Sequence, residues 1–408
     1  MAGLIASPEF AARARHPDHP NAFTRQRSLP LPALVAALLT MRGGSQQTLL
    51  DGFFGALAGS IQFVRGVSDR AFAQARARLH MPALSWLNDQ LLARLQTLAP
   101  VSRWQGLRVV AGDASVLMPA RRACHRTRGL ADSDQRLFAL YLPAAELTLH
   151  AAVHSARVSE RAMLAEALDC LAPDDLLVLD RGYPAAWLAR LLQDRGQRFV
   201  MRCDSTSGFA VVRQFMRSGQ AERVVQLPAP SARDCADWAC SRQPTQVRLV
   251  RHTAPGGQMR VLMTNVERNI AAAADFAALY HQRWRIEEAF KRLKHRMKLE
   301  SASGLSQQAL LIDVAAKVLA DNLASLLCAA AASQADLAAT SQRCNRSYAA
   351  DLTARLLAPV LLALGDVAKA IGDALDLLSC TTQKYIPGRS RPRPTHTVKP
   401  HPSVVYKG

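Results

Sequence analysis

Four residues in one stretch have side chains and a spacing that could do chemistry together. Tyr280, Arg283, Glu287 and Lys294 lie in LYHQRWRIEEAFKRLKHRMK with the spacing Y-x2-R-x3-E-x6-K. On an α-helix they fall at roughly 0°, 300°, 340° and 320°, within a strip about 60° wide. One carboxylate is thereby set among two cations and a phenol on a single face. The acid could hold a metal ion while its companions grip a phosphate backbone. Glu288 points out of the strip toward Trp284, which favours Glu287. Lys291 and Lys298 fall within about 50° of the strip and would extend the phosphate grip, whereas Arg285 points away.

Two further acids make a metal site concrete. Asp113 in RVVAGDAS and Asp180 in LLVLDRGY each end a short apolar run that reads as a buried strand. A carboxylate at such a place is costly unless it is paired or binds a metal. If the two strands are neighbours, both acids point to the same end of the sheet, and Glu287 completes three carboxylates. Hard oxygen donors select Mg²⁺, with Mn²⁺ as a substitute, rather than zinc. Such ions can activate a water or a 3′-hydroxyl and stabilise the leaving oxygen of a phosphodiester. That chemistry depends on positioning and charge neutralisation. Plainer readings stand beside it. Asp180, before Arg-Gly, could be a cap or a turn residue, and the helix strip could be an exposed charge network worth a few tenths of a kcal/mol per pair.

The composition agrees with a polyanionic partner. Lys and Arg number 51 against 32 Asp and Glu, a formal charge of +19 spread along the whole chain, which points to nucleic acid. A length of 408 residues allows a large core and two or three domains. The eight Cys are scattered without a C-x2-C pair, against a zinc ribbon or a disulfide scaffold and in keeping with a reducing cytoplasm. The N-terminus lacks the apolar core of a signal peptide, and no uncharged apolar run reaches the ~20 residues of a membrane span.

The elements that must position these residues follow from periodicity. Residues 1–103 read as helical, with Ser68 or Asp69 as an N-cap and Arg-bearing faces suited to DNA; a plain helical cap on the main domain is the alternative. From 104 to 204, short strands (LRVVAGDA, two runs around Pro143, DDLLVLD, RFVMRC) meet helices (SERAMLAEALDCL, PAAWLARLLQDRG), which predicts a mixed α/β sheet. Residues 205–265 break the alternation with four short β-like pieces, FAVVRQF among them, and a hairpin turn at Pro255-Gly256-Gly257, as a β-rich insertion would. The motif helix is expected from about Ala271 to about Lys298, with Phe276, Leu279, Ile286, Phe290, Leu293 and Met297 as its apolar stripe. Residues 266–330 return to the main domain. Helices are expected around 306–330 and 349–378, the latter in a C-terminal region of 331–380, and the basic, Pro-rich stretch 381–408 reads as an extended tail.

Together GDAS, LDRGY, LMTNV and YHQRWRIEEAFKRLK resemble a bacterial DDE transposase of the insertion-sequence-four family, over roughly residues 104–330. The resemblance implies an RNase H-like catalytic domain in which Asp113, Asp180 and Glu287 bind divalent metal. A β insertion, here 205–265, separates the second acid from the Glu. By matching position, Tyr280, Arg283 and Lys294 contact phosphates near the transposon end. Family members cut and rejoin transposon ends as a dimer on double-stranded DNA, which serves as both ends and target. The place of action is then the bacterial cytoplasm and its nucleoid. Some pass through a DNA hairpin, flipping a base against an aromatic of the insertion; Trp238, the one Trp there, is the candidate wedge, with packing as its alternative. A hydrolytic nuclease of the same fold and a non-catalytic, transposase-derived DNA-binding protein are the rival expectations.

Overall fold

The computed structural model describes residues 1–25, 27–98, 101–117, 135–204, 208–253, 259–301, 304 and 306–385. The chain divides into two units, one of Met1–Ala99, Leu117–Gln135 and Phe290–Gly408, the other of Pro100–Val116 and Arg136–Ala289.

The first unit is helical. It opens with α1 (Ala2–Ile5), α2 (Pro8–Arg13), α3 (Leu31–Thr40), α4 (Gln46–Leu57), α5 (Asp69–Ala77) and α6 (Pro82–Leu98). Ser68 caps α5 by accepting from the Ala71 amide at 3.2 Å, satisfying one of the free N–H groups of the first turn. Leu34, Leu38, Phe72 and Leu84 from these helices join Ile312, Leu319 and Leu357 from the chain's later part in one apolar core.

The second unit is built on an eight-stranded sheet. Its strands are β1 (Arg108–Leu117), β2 (Gln135–Leu142), β3 (Leu147–Ser155), β4 (Asp175–Leu179), β5 (Arg198–Cys203), β6 (Glu222–Leu227), β7 (Thr245–Thr253) and β8 (Met259–Thr264). They lie in the order β3-β2-β1-β4-β5-β8-β7-β6. The pairs β1–β4 and β4–β5 are parallel, while β5–β8, β8–β7 and β7–β6 are antiparallel. The connection from β2 to β3 is too short for a crossover, so that pair is a hairpin. A hairpin of β2 and β3 beside the parallel strands β1, β4 and β5, with antiparallel strands beyond, is the mixed α/β sheet that the sequence predicts and is consistent with the RNase H-like fold that the resemblance implies. Among the helices, α7 (Glu160–Glu166) is capped by Ser159 and leads into β4, and α8 (Ala186–Asp194) leads into β5 and ends at Gly196, whose φ of 67° suits glycine.

The stretch read as a β-rich insertion holds β6, β7 and β8 together with α9 (Ala210–Arg217) and α10 (Ala232–Trp238). Its strands extend the main sheet, because β8 pairs with β5 and covers an edge that would otherwise expose unpaired backbone. FAVVRQF is helix rather than strand: Val212 and Phe215, three apart, are both buried, a helical spacing that the short β-branched run masks. The turn at residues 255–257 lies outside the described residues, and the strands on either side of it pair from Thr253–Met259 onward.

The motif helix is not one straight element. It comprises α11 (Asp275–Gln282), α12 (Trp284–Lys291) and a π-helical turn at Arg292–Arg296. The Arg283 amide donates to the Tyr280 carbonyl and the Ile286 amide to the Arg283 carbonyl, tightening the helix at Arg283. At the other end the Met297 amide reaches back five residues to the Arg292 carbonyl at 3.0 Å. All six residues of the expected apolar stripe are buried. Beyond it come α13 (Gln307–Gln334), α14 (Arg346–Leu361) and α15 (Val367–Cys380), with the small strands β9 (Gln342–Cys344) and β10 (Thr382–Lys384). The single helix expected at 349–378 is thus two. Ala363 and Gly365 take positive φ, and Asp366 caps α15 by accepting from the Lys369 amide. Residues 386–408, most of the basic tail, lie outside the described residues. Among the described residues no helix is long and apolar enough to cross a membrane.

Candidate active site

Strand register decides where the acids fall. Gly112 pairs with Leu179 across the parallel β1–β4 ladder, so Asp113 and Asp180 follow side by side. Val109 on β1 and Leu176 and Val178 on β4 pack in one apolar cluster with Phe276, Leu279 and Tyr280 of α11. Side chains alternate along a strand, so Asp113 and Asp180 stand on the same face as that packed helix. Gly112 has a reason of its own to be glycine: a Cβ there would sit 2.9 Å from Leu179 Cδ2, the residue just before Asp180. Gly112→Ala is therefore expected to cost about 1–3 kcal/mol by overpacking, read as a lower urea midpoint.

The three sequence-predicted acids meet at one guanidinium. Arg283 Nη1 donates to Asp113 Oδ2 at 3.1 Å and Nη2 to Glu287 Oε1 at 3.0 Å, and Nη2 lies 3.8 Å from Asp180 Oδ2. The Tyr280 hydroxyl donates to Asp180 Oδ1 at 3.1 Å. Spacings of three and four residues put Tyr280, Arg283 and Glu287 on one side in spite of the tightening at Arg283. Both Tyr280 and Arg283 are buried, so each begins as a partner of the acids and not as a surface clamp.

Charge is finely divided here. Burial pushes the Asp113 carboxyl up to about 6, against the pull of Arg283 and of the Ala114 amide, which donates to Oδ1 at 2.9 Å. Burial also pushes Asp180 up, but Arg283, the Arg181 amide, Arg202 and Tyr280 outweigh it and hold that carboxyl below its ordinary value. Burial raises the Tyr280 hydroxyl, and the neighbouring Asp180 adds to the rise. A further acid, Glu160 at the start of α7, is raised by burial and repelled by Asp180; its carboxylate is 3.6 Å from Arg136 Nη1. Tyr183 is fully buried beside these carboxylates, and its hydroxyl has no hydrogen-bond partner among the described residues.

The donor set fits a hard divalent cation. Carboxylate oxygens are its preferred ligands, and Asp113, Asp180 and Glu287 present them around one guanidinium. Arg283 is the positive charge set among them. Among the described residues no three acidic, His or Cys side chains enclose a single ion position, because the acids close on Arg283 rather than on one another.

The remaining sequence candidates fall elsewhere. Lys291, Lys294 and Lys298 belong to the first unit. Lys291 is exposed at the end of α12, and Lys294 sits in the π-helical turn with its Nζ 3.6 Å from Glu300 Oε1. Lys298 follows that turn with a left-handed backbone, φ 52°. The wider π turn breaks the 100° step, so the angles that grouped the lysines with Glu287 do not carry past Lys291. Trp238, the candidate wedge, stacks on Trp187 of α8 with ring centroids 4.3 Å apart and planes 8° from parallel, a contact that gives one ring face a packing role. Sequence reasoning missed Glu160, Arg202, Arg260 and His252. The signal for the last three was present, since each stands two residues from a buried apolar residue of its strand, but their meeting depends on β8 lying beside β5.

Fold and site define an RNase H-like α/β protein whose centre is three carboxylates carried by two adjacent strands and a helix on the same face. The chain belongs to the transposase DDE domain family, whose pattern matches residues 107–323, and with it to the enzymes that cut or transfer DNA. A piggyBac transposase, solved by cryo-EM as a synaptic complex with hairpin DNA, is similar at a TM-score of 0.46 and 10% identity, covering 95% of this chain and 86% of that chain. No curated protein sequence matches this chain.

Proposed function

We propose that this transposase acts on an insertion sequence of the insertion-sequence-four type, binding its terminal inverted repeats and carrying out divalent-metal-dependent end cleavage and strand transfer. The observation that carries the reading is the convergence of Asp113, Asp180 and Glu287 on Arg283 within 3.8 Å. Those three acids are the ligands for Mg²⁺, or Mn²⁺ in its place. The bound cation supplies Lewis acidity for phosphoryl transfer. Around it, Tyr280 orients the Asp180 carboxylate through its hydroxyl. Arg283, whose planar fork suits a phosphate, would serve the scissile group if a cation held the acids in its place. The helical N-terminal region contributes DNA contacts, Lys291, Lys294 and Lys298 add phosphate contacts, and two copies assemble on the DNA ends.

The test is strand transfer from a pre-nicked transposon end. With Mg²⁺, the protein is expected to join the free 3′-hydroxyl to target DNA, giving a branched product on a denaturing gel. Cleaved ends without any joined product would replace this reading with a hydrolytic nuclease. DNA binding with neither product would leave a non-catalytic DNA-binding protein.

A further inference from the structure

The sheet carries more than its acids on the face that holds the centre. Val200 on β5, Leu262 on β8 and Val250 on β7 belong to the same apolar cluster as Val109 and Val178. Two residues along each strand returns to the same face, which places Arg202, Arg260 and His252 there. The register then lines them up. Leu179 pairs with Met201, so Arg202 follows beside Asp180; Arg202 pairs with Leu262, two residues from Arg260; and Arg260 pairs with His252. Across five adjacent strands the row reads Asp113, Asp180, Arg202, Arg260, His252, two acids continued by three nitrogen bases.

Among the described residues the three nitrogen-bearing side chains of the row are short of acceptors. Arg202 Nη1 is 3.6 Å from Asp180 Oδ1, and that carboxylate is already shared with Tyr280 and Arg283. Arg202 Nε, Arg260 Nε and both ring nitrogens of His252 are buried without a hydrogen-bond partner among the described residues. His252, only 9% exposed, tilts against the Tyr280 ring at 6.2 Å between centroids. Arg260 and Arg202 repel each other, and burial works against the Arg260 charge. Buried donors left unpaired are expensive and rare, and here they cluster in one line beside a catalytic centre.

We propose that Arg202, Arg260 and His252 form a phosphate site that holds a backbone phosphodiester of the DNA strand next to the three-acid centre. The proposal rests on the transposase reading and adds to it the residues that fix the strand beside the cut. The two guanidiniums donate to the nonbridging oxygens, and the neutral imidazole adds one N–H. A phosphate there would neutralise the mutual repulsion of the arginines and satisfy donors that the fold leaves open.

The experiment is binding of the full chain to a short labelled duplex in EDTA, which separates binding from cleavage, across a range of salt concentrations. For Arg260→Gln, affinity is expected to fall about 10-fold, with the slope of log affinity against log salt shallower by about 1 than in the wild type. Arg260→Lys should keep the wild-type slope. His252→Gln, which changes no charge, should weaken binding a few fold at an unchanged slope, with melting curves like those of the wild type. Unchanged affinity and slope in both Arg260→Gln and His252→Gln, with the wild type binding well, would overturn this site alone. A wild type that binds no duplex would overturn the transposase reading and this site together. If inorganic phosphate stabilised the wild type but not Arg260→Gln while duplex binding stayed equal, the row would belong to a free anion and the proposal would fall.

Discussion

Asp113→Ala and Glu287→Ala will each lose metal-dependent DNA cleavage by about three orders of magnitude or more, while duplex binding stays within a few fold of the wild type. A thousandfold loss corresponds to about 4 kcal/mol of transition-state stabilisation, of the size expected when a group that holds the charge-neutralising cation is removed. The loss should be chemical and not structural. Burial works against the Asp113 charge, pushing its carboxyl up to about 6, so the fold gains little from that acid. Arg283 keeps two carboxylates in either variant, since it approaches Asp113, Glu287 and Asp180. Asp113→Asn, which keeps the shape and the Ala114 contact, should be as inactive as the alanine variant. Cleavage is read on end-labelled DNA with Mg²⁺, binding by gel shift. Near-wild-type cleavage in any of the three variants would remove the acid concerned from the centre.

Much of this site was legible in the chain because it is local. Three- and four-residue spacings survive small distortions of a helix, and so Tyr280, Arg283 and Glu287 come together as the spacing predicts. The two apolar runs ending in acid were equally readable, and adjacency of β1 and β4 needed only the parallel pairing that their two-sided apolar character favours. Longer extrapolation failed. The π turn at Arg292–Arg296 shifts everything after it, so Lys294 and Lys298 could not be placed by counting at 100° per residue. Long-range pairing was also hidden. Nothing in RVLMTNV says that it lies against RFVMRC, yet that pairing alone brings Arg260 and His252 into line with Asp180. Arg283 is the sharpest lesson. Its type and spacing marked it as functional, but only its burial among three acids reveals it as the group they share.

At the far end of the same two strands, Asp175→Ala is expected to destabilise the second unit by about 3–5 kcal/mol. Arg108 and Asp175 are register partners at the starts of β1 and β4, with side chains 6% and 0% exposed. Arg108 Nε donates to Oδ1 at 2.5 Å and Nη2 to Oδ2 at 2.8 Å, and the Ala172 amide donates to the same Oδ2 at 2.8 Å. Removing the acid leaves a guanidinium buried without its partner, which is far costlier than losing an exposed pair such as Arg13–Glu9, worth at most about 1 kcal/mol. The pair as a whole is another matter, because its attraction must offset the desolvation of both charges. Replacing both together, Arg108→Met with Asp175→Leu, should recover most of the loss or even exceed wild-type stability. Urea unfolding followed by Trp fluorescence measures both variants in a background that keeps Trp104 and replaces the other four Trp with Phe, since the Trp104 indole packs edge-on against Phe276 of α11 at 5.5 Å. If Asp175→Ala shifted stability by less than about 1 kcal/mol, the ion pair would be solvated and not a buried clamp. The double variant carries the functional point. If it folds stably and still cleaves DNA, the Arg108–Asp175 pair sets only stability. If it folds stably but cleaves poorly, the same pair also fixes the register that seats Asp113 beside Asp180.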